Sequence, residues 1–309
     1  MEPLLNPARI DFVSLRLFCA VAQSGSINKG AEMCNLVPSA ASRRLADMES
    51  AFGTRLLQRS AQGVVLTPAG HVALQHSMRL FHGLEHFTSE LRDYARGVKG
   101  HVRLWANMSA LSEFLPPLLS AFLSEHSDIK VDVEEQLSGD IVRALADGVA
   151  DIGVFAQGTP TGTLEVAEFH RDELVLICMR PHPLANVPRV RFAECLDFDF
   201  VGLNQGSSLL ELALREAERA GHELKIRVQV RSFDAMCHMI AAGLGVGVVP
   251  LRACTGQIAA LGLAAIPIED PWAVRQLLLA SRDPRLLSPP AQMLRDHLLA
   301  AAPSAQTRI

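Results

Sequence analysis

Leu15, Phe18, Cys19 and Ala22 stand at i, i+3, i+4 and i+7 within residues 11–24, which is one apolar face of a helix. Gly25 ends that pattern, and Ser26 is placed to cap a second short helix, INKGAEMC, which Asn35 closes. Gly30 lies inside this helix, where it costs about 1 kcal/mol relative to alanine unless packing compensates. Pro38 suits the first position of a third helix, because its φ is already fixed and it has no N–H to leave unpaired. In that helix Ala41, Leu45, Met48 and Phe52 share one face at spacings of 4, 3 and 4, and the opposite face carries Ser39, Ser42, Arg43 and Ala46. That second face is either an ordinary solvated surface or one that enters a DNA major groove, whose base edges accept hydrogen bonds from arginine and serine. Two short helices followed by a third through a tight turn predict a helix-turn-helix. Beyond Gly53, the arginines Arg55 and Arg59, a turn around Gly63 and the β-branched VVLT predict a small hairpin, or wing, whose arginines would meet phosphates.

A longer helix starts at Thr67-Pro68 and meets no further proline before about residue 97. Along it Leu80, Leu84, Phe87, Leu91 and Tyr94 recur at spacings of 4, 3, 4 and 3. Such a seam pairs two helices in a coiled coil, or else packs the helix on its own domain. His82 and His86 are four apart on it, but no Cys or carboxylate joins them in register, so solvent-facing histidines are the preferred reading over a metal pair.

From residue 100 the period changes. HVRLWA, IKVDVEEQ and ADIGVFAQ read as strands, with LSEFLPPLLSAFLSEH and GDIVRALADGV as the helices between them. A second set begins near residue 163 with the strands TLEVAEFH, ELVLICM and FDFVGL, then SLLELALREAERAG as a helix, LKIRVQV, the helix FDAMCHMIAAG, and VGVVP. AVRQLLLASR and a last helix over 288–301 return to the first set. This alternation predicts mainly parallel sheets covered on both faces, folded as two α/β lobes with a cleft at the strand ends. The expected organisation is a winged helix-turn-helix over 1–66, a linker helix over 67–97, a two-lobed domain over 98–301 (98–162 with 269–301, and 163–268), and a tail over 302–309. The fold class is therefore α+β multidomain.

Composition narrows the function. The 309 residues are 49% hydrophobic and 20% charged, a globular balance with room for two domains. No apolar run of about 18 residues appears, so no membrane partner is expected. The N-terminus lacks the features of a signal peptide, which makes the cytoplasm the expected location. Six cysteines without a CxxC pair argue for reduced, mostly buried thiols and against a zinc site. The net charge is -4, yet residues 1–66 hold seven Lys and Arg against five Asp and Glu, an excess of the sign that DNA binding needs. No GxSxG, HExxH or P-loop is present, so no enzyme and no cofactor are expected. The glycines of GLGVGVVP follow a helix and precede VVP, the reverse of a dinucleotide fingerprint.

Phe18 with AQSGSI, Ala31-Glu32, PSAASRR, Met48-Glu49, Phe52-Gly53, Leu56-Leu57 with Arg59, and LTPAG follow one another over about sixty residues. In this order they resemble the winged helix-turn-helix of LysR-type transcriptional regulators. FLPPLLSAF, ALADGVADIGV, HPLA at 182–185 and IAAGLGVGVVP likewise resemble that family's effector domain, which is similar in fold to periplasmic solute-binding proteins. The resemblance implies double-stranded DNA and a small-molecule effector as partners, a homodimer or homotetramer, and RNA polymerase as a further partner. It implies a DNA-facing set of Ser26, Asn28, Lys29, Pro38, Ser39, Ser42, Arg43, Arg44, Arg55 and Arg59, with Ser39, Ser42 and Arg43 approaching bases and Arg44, Arg55 and Arg59 holding the backbone. Dimerisation falls to Leu80, Leu84, Phe87 and Leu91, which sets two recognition helices on half-sites.

The resemblance places the effector at Asn107, Met108, Ser109, Ser138, Phe155, Asn204, Gln205, Ser207, Gly245 and Val246. Ser109 and Ser207 serve as helix N-caps or, with free N–H groups beside them, receive a carboxylate. No arginine stands out among these loops, so a strongly charged polyanionic effector is disfavoured. Two positions depart from the family pattern: Val37 stands where a capping Ser or Thr is usual, and Gly30 where alanine is usual, and both weaken local helix stability. A solute-binding or sensor protein with weak nonspecific DNA binding is the alternative function.

Overall fold

The computed structural model describes residues 10–60, 63–95 and 100–302. The chain divides into two compact units, Met1–Leu91 and Arg92–Ile309.

The first unit opens with α1 (Phe12–Ser24), capped by Asp11, whose carboxylate accepts from Ser14 N at 2.6 Å. Gly25 ends it in the left-handed region at φ 64°. Ser26 caps α2 (Ile27–Met33), and Pro38 opens α3 (Pro38–Phe52). The α3 face Ala41, Leu45 and Met48 is buried on Leu17, Phe18 and Val21 of α1. The wing is β1 (Leu57–Ser60) paired antiparallel with β2 (Gly63–Leu66). Glu49 of α3 holds it, its Oε1 accepting from Leu56 N at 2.7 Å and Leu57 N at 2.9 Å.

At Gly30 packing supplies the compensation that a glycine inside a helix needs. A Cβ there would lie 2.4 Å from Val21 Cγ2 and 2.9 Å from Val21 N, so the missing side chain is what lets α2 lie against α1. Val37, by contrast, leaves α3 with no side-chain cap.

The long helix is α4 (Pro68–Ala95). Its early residues Ala69, Ala73, Leu74 and Phe81 pack on the first unit's core. Leu80, Leu84, Phe87 and Leu91 are exposed on the single chain. The side chains of His82, His86 and Tyr94 lie outside the described residues.

The second unit contains β3 (Gly100–Ala106) parallel to β4 (Ile129–Glu135) and to β5 (Ile152–Ala156), with α5 (Leu115–Glu125) and α6 (Ser138–Asp147) as crossovers. One turn of π-helix, Ala110–Phe114, precedes α5. The two predicted strands after residue 163 are one strand, β6 (Glu165–Cys178), and it joins the lobes. Its first half, expected in the second lobe, pairs with β11 (Val274–Ser281) in the first. Its second half pairs with β9 (Gly247–Pro250) and β10 (Ala264–Pro267).

The second lobe adds β7 (Phe200–Leu203) parallel to β8 (Ile226–Val230), and the helices α7 (Ser208–Arg219), α8 (Phe233–Ala241) and α9 (Leu251–Ala260). The last helix, α10 (Pro289–Ala300), covers the first lobe through Ala291, Leu294 and Leu298. The sheets are mixed rather than mainly parallel, because β11 runs antiparallel between β5 and β6, and β6 antiparallel to β9 and β10. Neither α9 nor β10 is among the elements expected from the hydrophobic pattern.

Candidate DNA-binding face and interlobe cleft

Burial of Ala41, Leu45 and Met48 turns Ser39, Ser42, Arg43 and Ala46 outward, leaving them exposed along one side of α3. Asn28, Lys29 and Arg55 are exposed as well, and Pro38 is the exposed first residue of α3. Ser26 is engaged as a cap, accepting from Lys29 N at 3.4 Å. Arg44 points elsewhere: its Nη1 donates to Asp11 Oδ2 at 2.8 Å and to Ser14 Oγ at 3.3 Å, tying α3 to the start of α1. The Arg59 side chain lies outside the described residues.

The second unit holds a cleft of about 340 Å³ between its lobes. Four helix starts meet there, each presenting backbone N–H groups. Asn107 caps the first, its Oδ1 accepting from Ala110 N at 3.0 Å. Ser138 opens α6, and its Oγ accepts from Ala156 N at 3.4 Å. Ser207 caps α7, accepting from Leu210 N at 3.3 Å. Ser232 caps α8, which brings its neighbours Arg231 and Phe233 to the cleft wall.

Ser109 is not the cap that its position suggests. Its buried hydroxyl accepts instead from Arg275 Nη2 at 2.5 Å. Arg275, on β11, lines the cleft at 7% exposure, and its guanidinium also donates to Asp172 Oδ2, at 2.9 Å from Nε and 2.5 Å from Nη2. Its Nη1 is buried without a hydrogen-bond partner. Behind this arginine, burial pushes the Glu113 carboxyl up to about 7, with Asp172 acting in the same direction and Arg252 and Arg275 opposing it. Two arginines therefore stand on a wall where none was expected, and the ground for disfavouring a strongly charged polyanionic effector falls away.

Residues 12–71 match the family model described as bacterial regulatory helix-turn-helix protein, lysR family, and residues 95–303 match LysR substrate binding domain. The chain belongs to the LysR family. Its relatives include the uncharacterized HTH-type transcriptional regulator YbhD of Escherichia coli, 25% identical over 90% of this chain and 88% of that one. The RuBisCO operon transcriptional regulator of Allochromatium vinosum is 26% identical over 96% of this chain and 97% of its own. Among solved structures, full-length CbnR complexed with its target DNA superposes with a TM-score of 0.72 at 21% identity, covering 95% of this chain and all of that one. The regulatory domain of Synechocystis PCC6803 CcmR in complex with 2-PG gives 0.62 at 23% identity over 67% of this chain and 99% of that one. The protein is a LysR-type DNA-binding transcriptional regulator with an effector-binding domain.

In this LysR-family chain the cleft brings together Asn107, Met108, Ser109, Ser138, Asn204 and Ser207 from the sequence-read set. Four others stand apart from it. Phe155 is wholly buried among Ile141, Leu145 and Ala150, on the opposite face of β5 from Val154 and Ala156. Gly245, at φ 148°, lies against the Asp199 carbonyl, where a Cβ would come within 2.3 Å of the oxygen. Val246 is buried and its carbonyl accepts from Val201 N. Gln205 sits in the turn closed by the Asn204 amide on its carbonyl.

Arg231, Phe233 and Arg275 were missed. The first two follow a strand end, a position already used for the other loops. The third is a lone arginine inside the apolar strand VRQLLLAS, which is itself a signal, because a buried charge needs a partner.

Proposed function

We propose that this regulator reads DNA as a homodimer, or a tetramer of paired dimers, and is switched by a small anion held in the interlobe cleft. The observation that carries the effector class is Arg275, a guanidinium on a cleft wall where four helix starts converge, with one buried nitrogen that has no hydrogen-bond partner. The complex of CcmR with 2-PG, a protein of similar fold, is in keeping with an occupied effector domain. On the DNA side, Ser39, Ser42 and Arg43 contact base edges while Arg55 and Arg59 hold phosphates. The uncovered stripe of Leu80, Leu84, Phe87 and Leu91 pairs two α4 helices. The protein works in the cytoplasm and has no catalytic role of its own. Effector acts only through its different affinity for two arrangements of the dimer.

The test is sequencing of genomic fragments retained by the purified full-length protein at near-physiological salt, followed by titration of the recovered sites with organic acids and with their neutral amides. Discrete inverted repeats whose occupancy responds to an acid and not to its amide support the reading. Diffuse, salt-labile retention, or a response to neutral compounds alone, overturns it.

A further inference from the structure

Arg275 belongs to a buried charge cluster that reaches from the cleft wall across to the second lobe. Asp172 of β6 is completely buried, and one of its oxygens, Oδ1, has no hydrogen-bond partner. Glu113, on the π-helical turn, is 6% exposed. Its Oε1 lies 3.0 Å from Arg252 Nε on α9, yet neither carboxyl oxygen accepts a hydrogen bond of normal geometry. His170 stacks on Phe114 at 4.5 Å with its Nε2 buried and unpartnered, and burial together with Arg252 pushes its pKa down, disfavouring the charged ring. Cys254 of α9 faces the same carboxylates, and its neighbour Cys237 and burial hold it as a thiol. Two carboxylates thus balance two guanidiniums, with His170, Cys254 and Ser109 uncharged around them.

An anion in the cleft beside Arg275 breaks this balance. Arg275 is then shared between Asp172 and the newcomer, and the cluster carries surplus negative charge in a place where water cannot screen it. The cheapest response is a proton on the carboxyl that is held least well. That group is Glu113, which has ion pairing but no hydrogen bonds. Arg252 is 74% exposed and can remain charged in water without its partner.

Resting on the anionic-effector reading above, we propose that the cleft takes up its anion together with one proton, which Glu113 accepts. The regulator's effector affinity then depends on pH. In the free protein Glu113 titrates at about 7, and the bound anion moves it higher. Below that pH the proton is already present and affinity is flat. Above it, each unit of pH weakens binding by up to about tenfold until the bound-state value is passed.

Sulfate is a suitable probe, because it stays fully ionised from pH 5.5 to 8.5. Calorimetric titration of the full-length protein with sulfate, at constant ionic strength and in buffers of different ionisation enthalpy, should show uptake approaching one proton at pH 8. Sulfate affinity should be flat below pH 6.5 and fall above 7. Glu113→Gln should abolish the uptake and keep at pH 8 the affinity that the native protein shows at pH 6. Arg275→Gln should lose sulfate at every pH. PH-independent binding without proton uptake by the native protein, which needs no variant, overturns the linkage and leaves the anionic cleft standing. Failure of sulfate to bind, or equal binding by Arg275→Gln, overturns both.

Discussion

Replacing Gly30 with alanine pits helix propensity against packing, and the structure says which wins. In an isolated helix the change would stabilise by about 1 kcal/mol. Here the new methyl would lie 2.4 Å from Val21 Cγ2 and within 2.9 Å of the Val21 backbone nitrogen. Val21 is fully buried and β-branched, so it has no free rotamer into which to retreat, and α2 must move off α1. Overpacking of this kind costs about 1–3 kcal/mol, which leaves a net loss of up to about 2 kcal/mol once the propensity gain is subtracted. Hydrogen exchange of the full-length protein, read on α1 and α2 peptides, should show protection reduced by up to about thirtyfold, since about 1.4 kcal/mol corresponds to a factor of ten. Gly83 on α4 is the control. A Cβ there meets nothing within 4 Å, so Gly83→Ala should raise α4 protection. Increased α1–α2 protection in Gly30→Ala, the gain that propensity alone gives, would refute the claim that this glycine is a contact between helices.

Val37→Thr should supply the missing cap and stabilise α3 by about 0.5–2 kcal/mol, seen as slower exchange of its first-turn amides and tighter operator binding. Arg43→Ala should weaken specific operator binding by about 1–3 kcal/mol in gel-shift titrations while leaving nonspecific affinity nearly unchanged; retained operator affinity would remove its base-reading role. Leu84→Glu with Leu91→Glu should convert the dimer to monomer in sedimentation velocity, and an unchanged profile would show that this stripe is not the interface. Glu113 ionises less readily in the folded chain than in the unfolded one, so its stabilising contribution is complete below about pH 4.5 and is lost as pH rises through about 7. Glu113→Gln should therefore have a higher Tm than the native protein at pH 8, with the gap closing toward pH 5.

The helix-turn-helix was legible because its signals are local. Gly25, Ser26, Pro38 and Gly53 punctuate the chain beside the apolar repeats that they bound. The cleft was legible in part for a similar reason: Asn107, Ser138 and Ser207 sit where strands end and helices begin. Phe155 shows the limit of that rule, since one residue along a strand reverses the face, and β5 is buried on both. Arg44 shows another, because its partner Asp11 is 33 residues away.

By itself, then, the sequence determined the first four helices with their wing, the outward face of α3 and the family, all of which rest on spacing within a few turns of chain. Tertiary structure alone decided that Gly30 is a contact, that β6 belongs to both lobes, and that Arg275 stands on the cleft wall with Ser109, Asp172 and Glu113 gathered around it. The physical reason is distance along the chain: Arg275 meets Asp172 across 103 residues and Ser109 across 166, and a buried charge takes its meaning from the partners that folding brings to it.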